Sequence, residues 1–251
     1  MKMNSIPSKN YSFKPTDYSI SIDIKEAFYG RRLVLSDIEI EVRRGHAVGL
    51  FGHNGAGKST ILNTAFGRLS RWNGQVIIDG QPLPRFGPET RVRSGIVLVP
   101  QGRGVFPSLT VEENFAVAWS AAKRRGPMDR QALERIYDLM PVIRDKWKER
   151  AGNLSGGQQQ FLSIGRALLQ GPSFLLLDEP SVGLAPKLVE DMLKMVKEVS
   201  QASNVGVLLV EQNINQALNV CERAYVVRSG RIVAHASSEE LSQSDILWGL
   251  F

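Results

Sequence analysis

GHNGAGKST, residues 52–60, constrains this chain more than any other stretch. It fits the pattern G-x-x-x-x-G-K-[ST] and follows AVGLF (47–51), an unbroken apolar run. Such a run reads as a central strand covered on both faces. Beyond the loop, Ile61, Leu62, Ala65 and Phe66 recur on one helical face. Strand, glycine loop and helix thus follow in the order that a phosphate cradle needs. Glycines let backbone N–H groups surround phosphate oxygens, the Lys58 ammonium adds a mobile charge, and the Ser59 hydroxyl suits Mg²⁺. The chain is committed to an α/β architecture.

The rest of the pattern extends that architecture. From Tyr18 to Val42 the alternation in SISIDI and LSDIEIEV predicts antiparallel strands with one buried face, and QVIID (75–79) returns to strand pattern. GIVLVPQ (95–101), FLLLDEP (174–180), GVLLVEQ (206–212) and AYVVRSG supply further strands. An amphipathic helix, Lys187–Ser200, separates two of them through Leu188, Met192, Met195 and Val199. Alternating strands and helices predict a mainly parallel sheet covered on both sides. Between Thr110 and Asp145 the pattern is helical and polar-amphipathic, broken at Gly126-Pro127 and Pro141, as in an inserted helical subdomain. Expected boundaries are a loose tail at 1–17 and a first core part with antiparallel strands at 18–104. A helical subdomain at 105–157, a second core part at 158–236 and a helical tail at 237–251 complete them.

Composition excludes several classes. Of 251 residues, 43% are hydrophobic, enough for a globular core. No apolar run approaches the 18 or more residues of a membrane span, and the polar first seventeen residues do not resemble a secretory signal. A single cysteine, Cys221, cannot form an internal disulfide; it reads as a structural thiol in a reducing cytosol. His46, His53 and His235 show no metal spacing. The net charge of +6 is concentrated in Trp119–Arg150, with nine Lys/Arg against five Asp/Glu. Without interleaved aromatics of the kind stacked bases require, that segment reads as a solvated face, open to water or beside lipid headgroups, and no nucleic-acid partner is expected.

Two further motifs carry chemistry. FLLL delivers Asp178 to the edge of the sheet, where a carboxylate can hold Mg²⁺ directly or through water. Glu179 beside it is placed to polarise water as a general base. LSGGQQQ (154–160) is the second. Ser155 can cap a helix continued by Phe161, Ile164 and Leu168, and a helix start with small residues offers N–H donors to an anion. A chain with one phosphate cradle therefore carries a second anion-binding helix end.

The order phosphate loop, VPQ, LSGGQ, LLLDEP, VEQ resembles the ATP-binding subunit of ABC transporters over about residues 18–236. The fold this implies is α/β, a P-loop NTPase of ABC type. It has a mainly parallel sheet core, an antiparallel β-subdomain and a helical subdomain. In that family two subunits meet head to tail, so Ser155, Gly156, Gly157 and Gln158 would bind the ATP held by a partner. The chain's own cradle would comprise Gly52, His53, Asn54, Gly55, Ala56, Gly57, Lys58, Ser59 and Thr60. By the same resemblance Tyr29 is the aromatic on which adenine stacks, although it also reads as a core tyrosine at a strand end. Gln101 is the glutamine that reaches Mg²⁺ and water, or simply a polar strand end. SVGLAP (181–186) falls where the family has its inter-subunit loop.

One position departs from the family's commonest pattern. Where many members place a γ-phosphate-contacting histidine, VEQN places Gln212, which can donate a hydrogen bond but carries no charge. The resemblance implies catalytic roles for Glu179, Gln212, Lys58 and Gln101, and metal binding by Ser59, Gln101 and Asp178. Its cofactors would be ATP and Mg²⁺. VEQN, GLAP and GRGVFPSLTVEEN are similar to the shorter ATPase subunit of branched-chain amino acid uptake systems. Urea or amide uptake, lipid or lipopolysaccharide export and a soluble ABC ATPase are the alternatives. The implied partners are a second ATPase subunit, identical or different, and transmembrane permeases. A periplasmic solute-binding protein would act indirectly, and the implied location is peripheral, on the cytoplasmic face of the inner membrane. The tail SSEELSQSDILWGLF reads as a short helix packed on its own core or against a partner, through Ile246, Leu247, Trp248, Leu250 and Phe251.

Overall fold

A computed structural model describes residues 18–102, 104–122 and 128–243. The N-terminal tail, the Gly126-Pro127 break and the apolar residues of the C-terminal tail lie outside the described residues. Two sheets organise the molecule. The first is antiparallel, in the order β2 (Arg32–Arg43), β1 (Ser19–Tyr29), β4 (Trp72–Ile78), β5 (Gln81–Pro82). Its period-2 pattern has the expected consequence: Ile20, Ile22, Ile24, Ile38 and Ile40 are all buried on one face.

The second sheet has six strands, in the order β10 (Arg231–Ser237), β9 (Arg223–Arg228), β3 (Ala47–Phe51), β8 (Gly206–Val210), β7 (Phe174–Asp178), β6 (Ile96–Val99). Strands β9, β3, β8, β7 and β6 run parallel, and β10 closes the edge antiparallel. The unbroken apolar runs are explained by a core on each face. Phe174 and Leu176 of β7, with Leu208 and Val210 of β8, face the antiparallel sheet. Leu175, Leu177, Val207 and Leu209 face the helices. The last strand, β10, was not read from the sequence: its side chains are mostly half-exposed, so no apolar run marks it.

The remaining helices are α1 (Lys58–Ala65), α2 (Pro88–Arg93), α3 (Val111–Ala121), α4 (Arg130–Leu139), α5 (Pro141–Asp145), α6 (Gly156–Leu169), α7 (Pro186–Ser203), α8 (Ile214–Leu218) and α9 (Ser238–Ser242). Helices α3 to α5 form the helical segment, with Pro141 opening α5 as the sequence predicts. Thr110 caps α3 in a reciprocal box with Glu113. Buried Asn114 fixes the preceding loop, accepting from the Phe106 N–H and donating to the Phe106 and Thr110 carbonyls. Helix α6 runs unbroken from the helical segment to the parallel sheet: Gly165 lies against Phe115 of α3, and Leu169 is buried in the helix-side core. Among the described residues no helix is long and apolar enough to cross a membrane.

Candidate functional site

Ligands of open parallel sheets collect beyond the carboxyl ends of the strands. Here those ends deliver the phosphate loop after β3, Asp178 and Glu179 at the end of β7, and Glu211 and Gln212 after β8. Register does the rest. Asp178 pairs with Val210, and the Glu179 N–H donates to the Val210 carbonyl at 3.0 Å, so the two strand ends turn together.

The phosphate loop closes around Lys58, whose side chain is 4% exposed. Its ammonium donates to the carbonyls of Gly52 (2.8 Å) and His53 (3.1 Å) and lies 3.6 Å from Glu179 Oε1. Gly52 admits no side chain: a Cβ there would sit 2.3 Å from the Val227 carbonyl oxygen. The Ser59 hydroxyl donates to Asp178 Oδ1 at 3.0 Å. Burial raises the Asp178 carboxyl above its usual range, and the Ser59 bond works against that.

Glu179 is the hub. Its Oε2 accepts from Gln212 Nε2 at 2.8 Å and from Gln101 Nε2 at 3.1 Å, while Lys58 faces Oε1. Gln212 Nε2 also reaches Asn54 Oδ1 at 3.2 Å, closing a ring from the loop to both strand ends. Glu179 is 7% exposed and has φ +49°, a left-handed conformation that costs a non-glycine residue about 1–2 kcal/mol. Strain of that kind persists where the surroundings over-determine it, and it clusters where chemistry is done.

Other residues singled out in the sequence lie apart from this hub. Tyr29 ends β1 and is 52% exposed, a solvent-facing ring rather than a core tyrosine. Ser155 caps α6: its hydroxyl accepts from the Gln158 N–H and its N–H donates to the Gln158 side chain. Ser155 is exposed, and among the described residues no hydrogen bond or ion pair joins residues 155–158 to the Lys58–Glu179 cluster. Gly157 is buried against Leu184 and Leu188, where a Cβ would come within 2.7 Å of Leu188. Cys221 is buried, and burial pushes its thiol far above the usual range, as expected of an unreactive thiol.

Sequence reasoning passed over Glu211 and Arg166. Glu211 is 1% exposed and accepts from the Ser181 N–H (3.0 Å), the Ser181 hydroxyl (2.7 Å) and the Gln212 N–H (3.2 Å). Burial raises its carboxyl above the usual range, offset by those bonds. An acid closing the apolar run GVLLV was the available signal. Arg166 of α6 donates to the carbonyls of Gly104 and Asn114 and covers the Phe106 ring at 4.7 Å. It thereby ties the loop after Gln101 to the helix that begins at Ser155.

The family model for ABC transporters matches residues 35–182. The chain belongs to the ABC transporter ATPases. It is similar to the high-affinity branched-chain amino acid transport ATP-binding protein BraG of Pseudomonas aeruginosa, with 41% identity over 88% of this chain and 94% of that protein. The lipopolysaccharide export system ATP-binding protein LptB of Haemophilus influenzae is 35% identical over 86% and 90% of the two chains. A nucleotide-free ATP-binding cassette from an ABC transporter superposes with a TM-score of 0.77 at 26% identity, covering 92% of this chain and 97% of that one. This ATPase thus has the expected fold, a parallel core with an antiparallel sheet and a helical segment.

Proposed function

We propose that the chain is the ATP-hydrolysing motor of a branched-chain amino acid importer, working as one of two cassettes that enclose ATP between them. The observation that carries the two-cassette reading is the split of the site. Lys58, Asp178, Glu179 and Gln212 converge in a buried ring, whereas Ser155 is exposed at the start of α6. An exposed helix start with glycines at its first turn is a donor set awaiting an anion from outside.

In this reading Lys58 leaves the Gly52 and His53 carbonyls for the β- and γ-phosphates, and the loop amides of residues 52–60 bind the phosphate oxygens. Tyr29 stacks on adenine, a contact worth about 1–3 kcal/mol by analogy with base stacking. Glu179 accepts a proton from the attacking water. Gln212 and Gln101, which donate to Glu179, orient that water and the γ-phosphate. Ser155, Gly156, Gly157 and Gln158 close over the nucleotide of the other cassette.

Ser59 and Asp178 fit a divalent cation, because a hydroxyl and a buried carboxylate already meet at 3.0 Å. Ser59 and Asp178 would hold the ion from the protein side, leaving its other positions to water and substrate oxygens, as Mg²⁺ prefers. When bound, Mg²⁺ neutralises charge on the β- and γ-phosphates.

The import reading rests on the greater identity to BraG than to LptB and on the VEQN phrase. The chain would sit at the cytoplasmic face of the inner membrane on permease subunits, fed by a periplasmic solute-binding protein. Two measurements test these readings. Glu179→Gln is expected to lose hydrolysis and to accumulate as an ATP-bound dimer on size exclusion; a monomer at every ATP concentration would sink the two-cassette reading. Deleting the gene is expected to abolish uptake of labelled leucine, isoleucine and valine. Normal uptake with defective lipopolysaccharide export would move the chain to the export branch.

A further inference from the structure

Glu211 is buried at the junction of two structures that the proposed cycle must move together. On one side its carboxylate receives both donors of Ser181, the N–H at 3.0 Å and the hydroxyl at 2.7 Å. Ser181 opens the loop that runs through exposed Val182 to Pro186, the first residue of α7. On the other side it receives the N–H of Gln212, whose side chain holds Glu179 and Asn54. At its far end the loop presents Leu184 to Gly157, in the first turn of α6, where Leu188 of α7 also packs. One buried carboxylate therefore begins an unbroken run of contacts. It passes from the Glu179 hub through Glu211 and Ser181, along residues 181–188, to the helix end at Ser155–Gly157.

The residue type matters. Burying a carboxylate without a countercharge is expensive, and an apolar side chain would fill the same space at less cost. No Lys, Arg or His pairs with Glu211 among the described residues; three neutral donors hold it. Removing the carboxylate leaves the Ser181 and Gln212 donors buried and unmatched, which lets the loop and the strand end drift apart.

We infer that Glu211 is a positioning residue, which fixes the Ser181–Pro186 loop to the Gln212 turn so that docking of a second cassette and alignment of Glu179 occur as one event. The inference rests on the two-cassette reading. It assigns Glu211 no contact with nucleotide.

The test uses the full chain as Glu211→Ala, Ser181→Ala and the double variant, with folding checked by circular dichroism and thermal melting. Expected are a monomer affinity for a fluorescent ATP analogue within about twofold of wild type and a kcat lower by about tenfold or more in Glu211→Ala. Ser181→Ala should add little to that loss, because both changes break one link. In a Glu179→Gln background, Glu211→Ala should raise about tenfold the protein concentration needed for the ATP-bound dimer. Wild-type kcat and dimerisation in a folded Glu211→Ala would overturn the inference. So would strictly additive losses, or a loss of nucleotide affinity that matches the loss of kcat. If Glu211→Ala does not fold, Ser181→Ala carries the test, with a smaller fall in kcat at unchanged affinity expected and no fall overturning it. A Glu179→Gln parent that never dimerises defeats the two-cassette reading instead, while the kcat cycle still reports on Glu211.

Discussion

The two features proposed to bind phosphate, the loop around Lys58 and the start of α6, differ in how far one polypeptide finishes them. Around Lys58 the charged side chains have internal partners: carbonyls for the ammonium, Ser59 for Asp178, two glutamines for Glu179. At the start of α6, the side chains of Ser155 and Gln158 each accept from the other's backbone N–H, and Ser155 is exposed. A preorganised cluster lowers the reorganisation needed for chemistry. A self-capped exposed helix end is stable alone and adds a ligand without rearranging the core. In the proposed reading, the contrast teaches that chemistry and assembly would sit on separate surfaces, joined by a few side chains.

The strongest way to break the comparison is to remove the hub. Glu179→Gln is expected to lower kcat about 10²–10⁴-fold, the range for a general base, with nucleotide binding retained; steady-state phosphate release measures it. The next test asks whether the two surfaces belong to one site. Lys58→Ala and Ser155→Arg should each be inactive alone, and their mixture should regain hydrolysis, because one of its two pockets is intact. No recovery in a mixture shown to associate would put both features at work within a single chain.

A smaller effect is expected at Gln212. Gln212→Ala removes the amide that holds Glu179, and about 1 kcal/mol for that bond corresponds to a kcat lower by roughly fivefold. Unchanged turnover would deny it a role.

The join between the surfaces gives the next prediction. Arg166→Ala should destabilise the chain by about 1.5–3 kcal/mol, the range for hydrogen bonds to charged groups, read as a lower midpoint in urea.

The smallest effect lies at the cap of α3. Thr110→Ala should cost about 1 kcal/mol. The Thr110 backbone N–H and then its hydroxyl lower the Glu113 carboxyl below its usual value. Stability from that carboxylate is therefore present above the unfolded value and lost as pH falls through the folded one. Thr110→Ala should flatten the acid limb of the stability curve measured by urea unfolding.

Much of the fold was legible because burial on both faces leaves a signature in the chain. FLLL and GVLLV carry no polar side chain, and each became part of a central strand. β10 left no such mark, since an edge strand with half-exposed side chains needs no apolar run. Within the candidate site, Lys58 and Asp178 were visible because each directly follows the local pattern that positions it. Glu211 was not. Its partner Ser181 is 30 residues away, and the one local signal, an acid closing GVLLV, does not tell whether that acid turns inward or meets solvent.

By itself the sequence determined the order of strand, phosphate loop and helix, the delivery of acids at strand ends and the capped start of α6. These depend on local periodicity and short-range hydrogen bonding. Only the tertiary structure decided which of those groups meet. The parallel register that sets Asp178 beside Val210 brings Glu179 to Gln212, and the sheet order brings Gln212 to Asn54 across 158 residues of chain. Such pairings are fixed by the cooperative packing of strands between two cores, a property of the assembled sheet that no single segment carries.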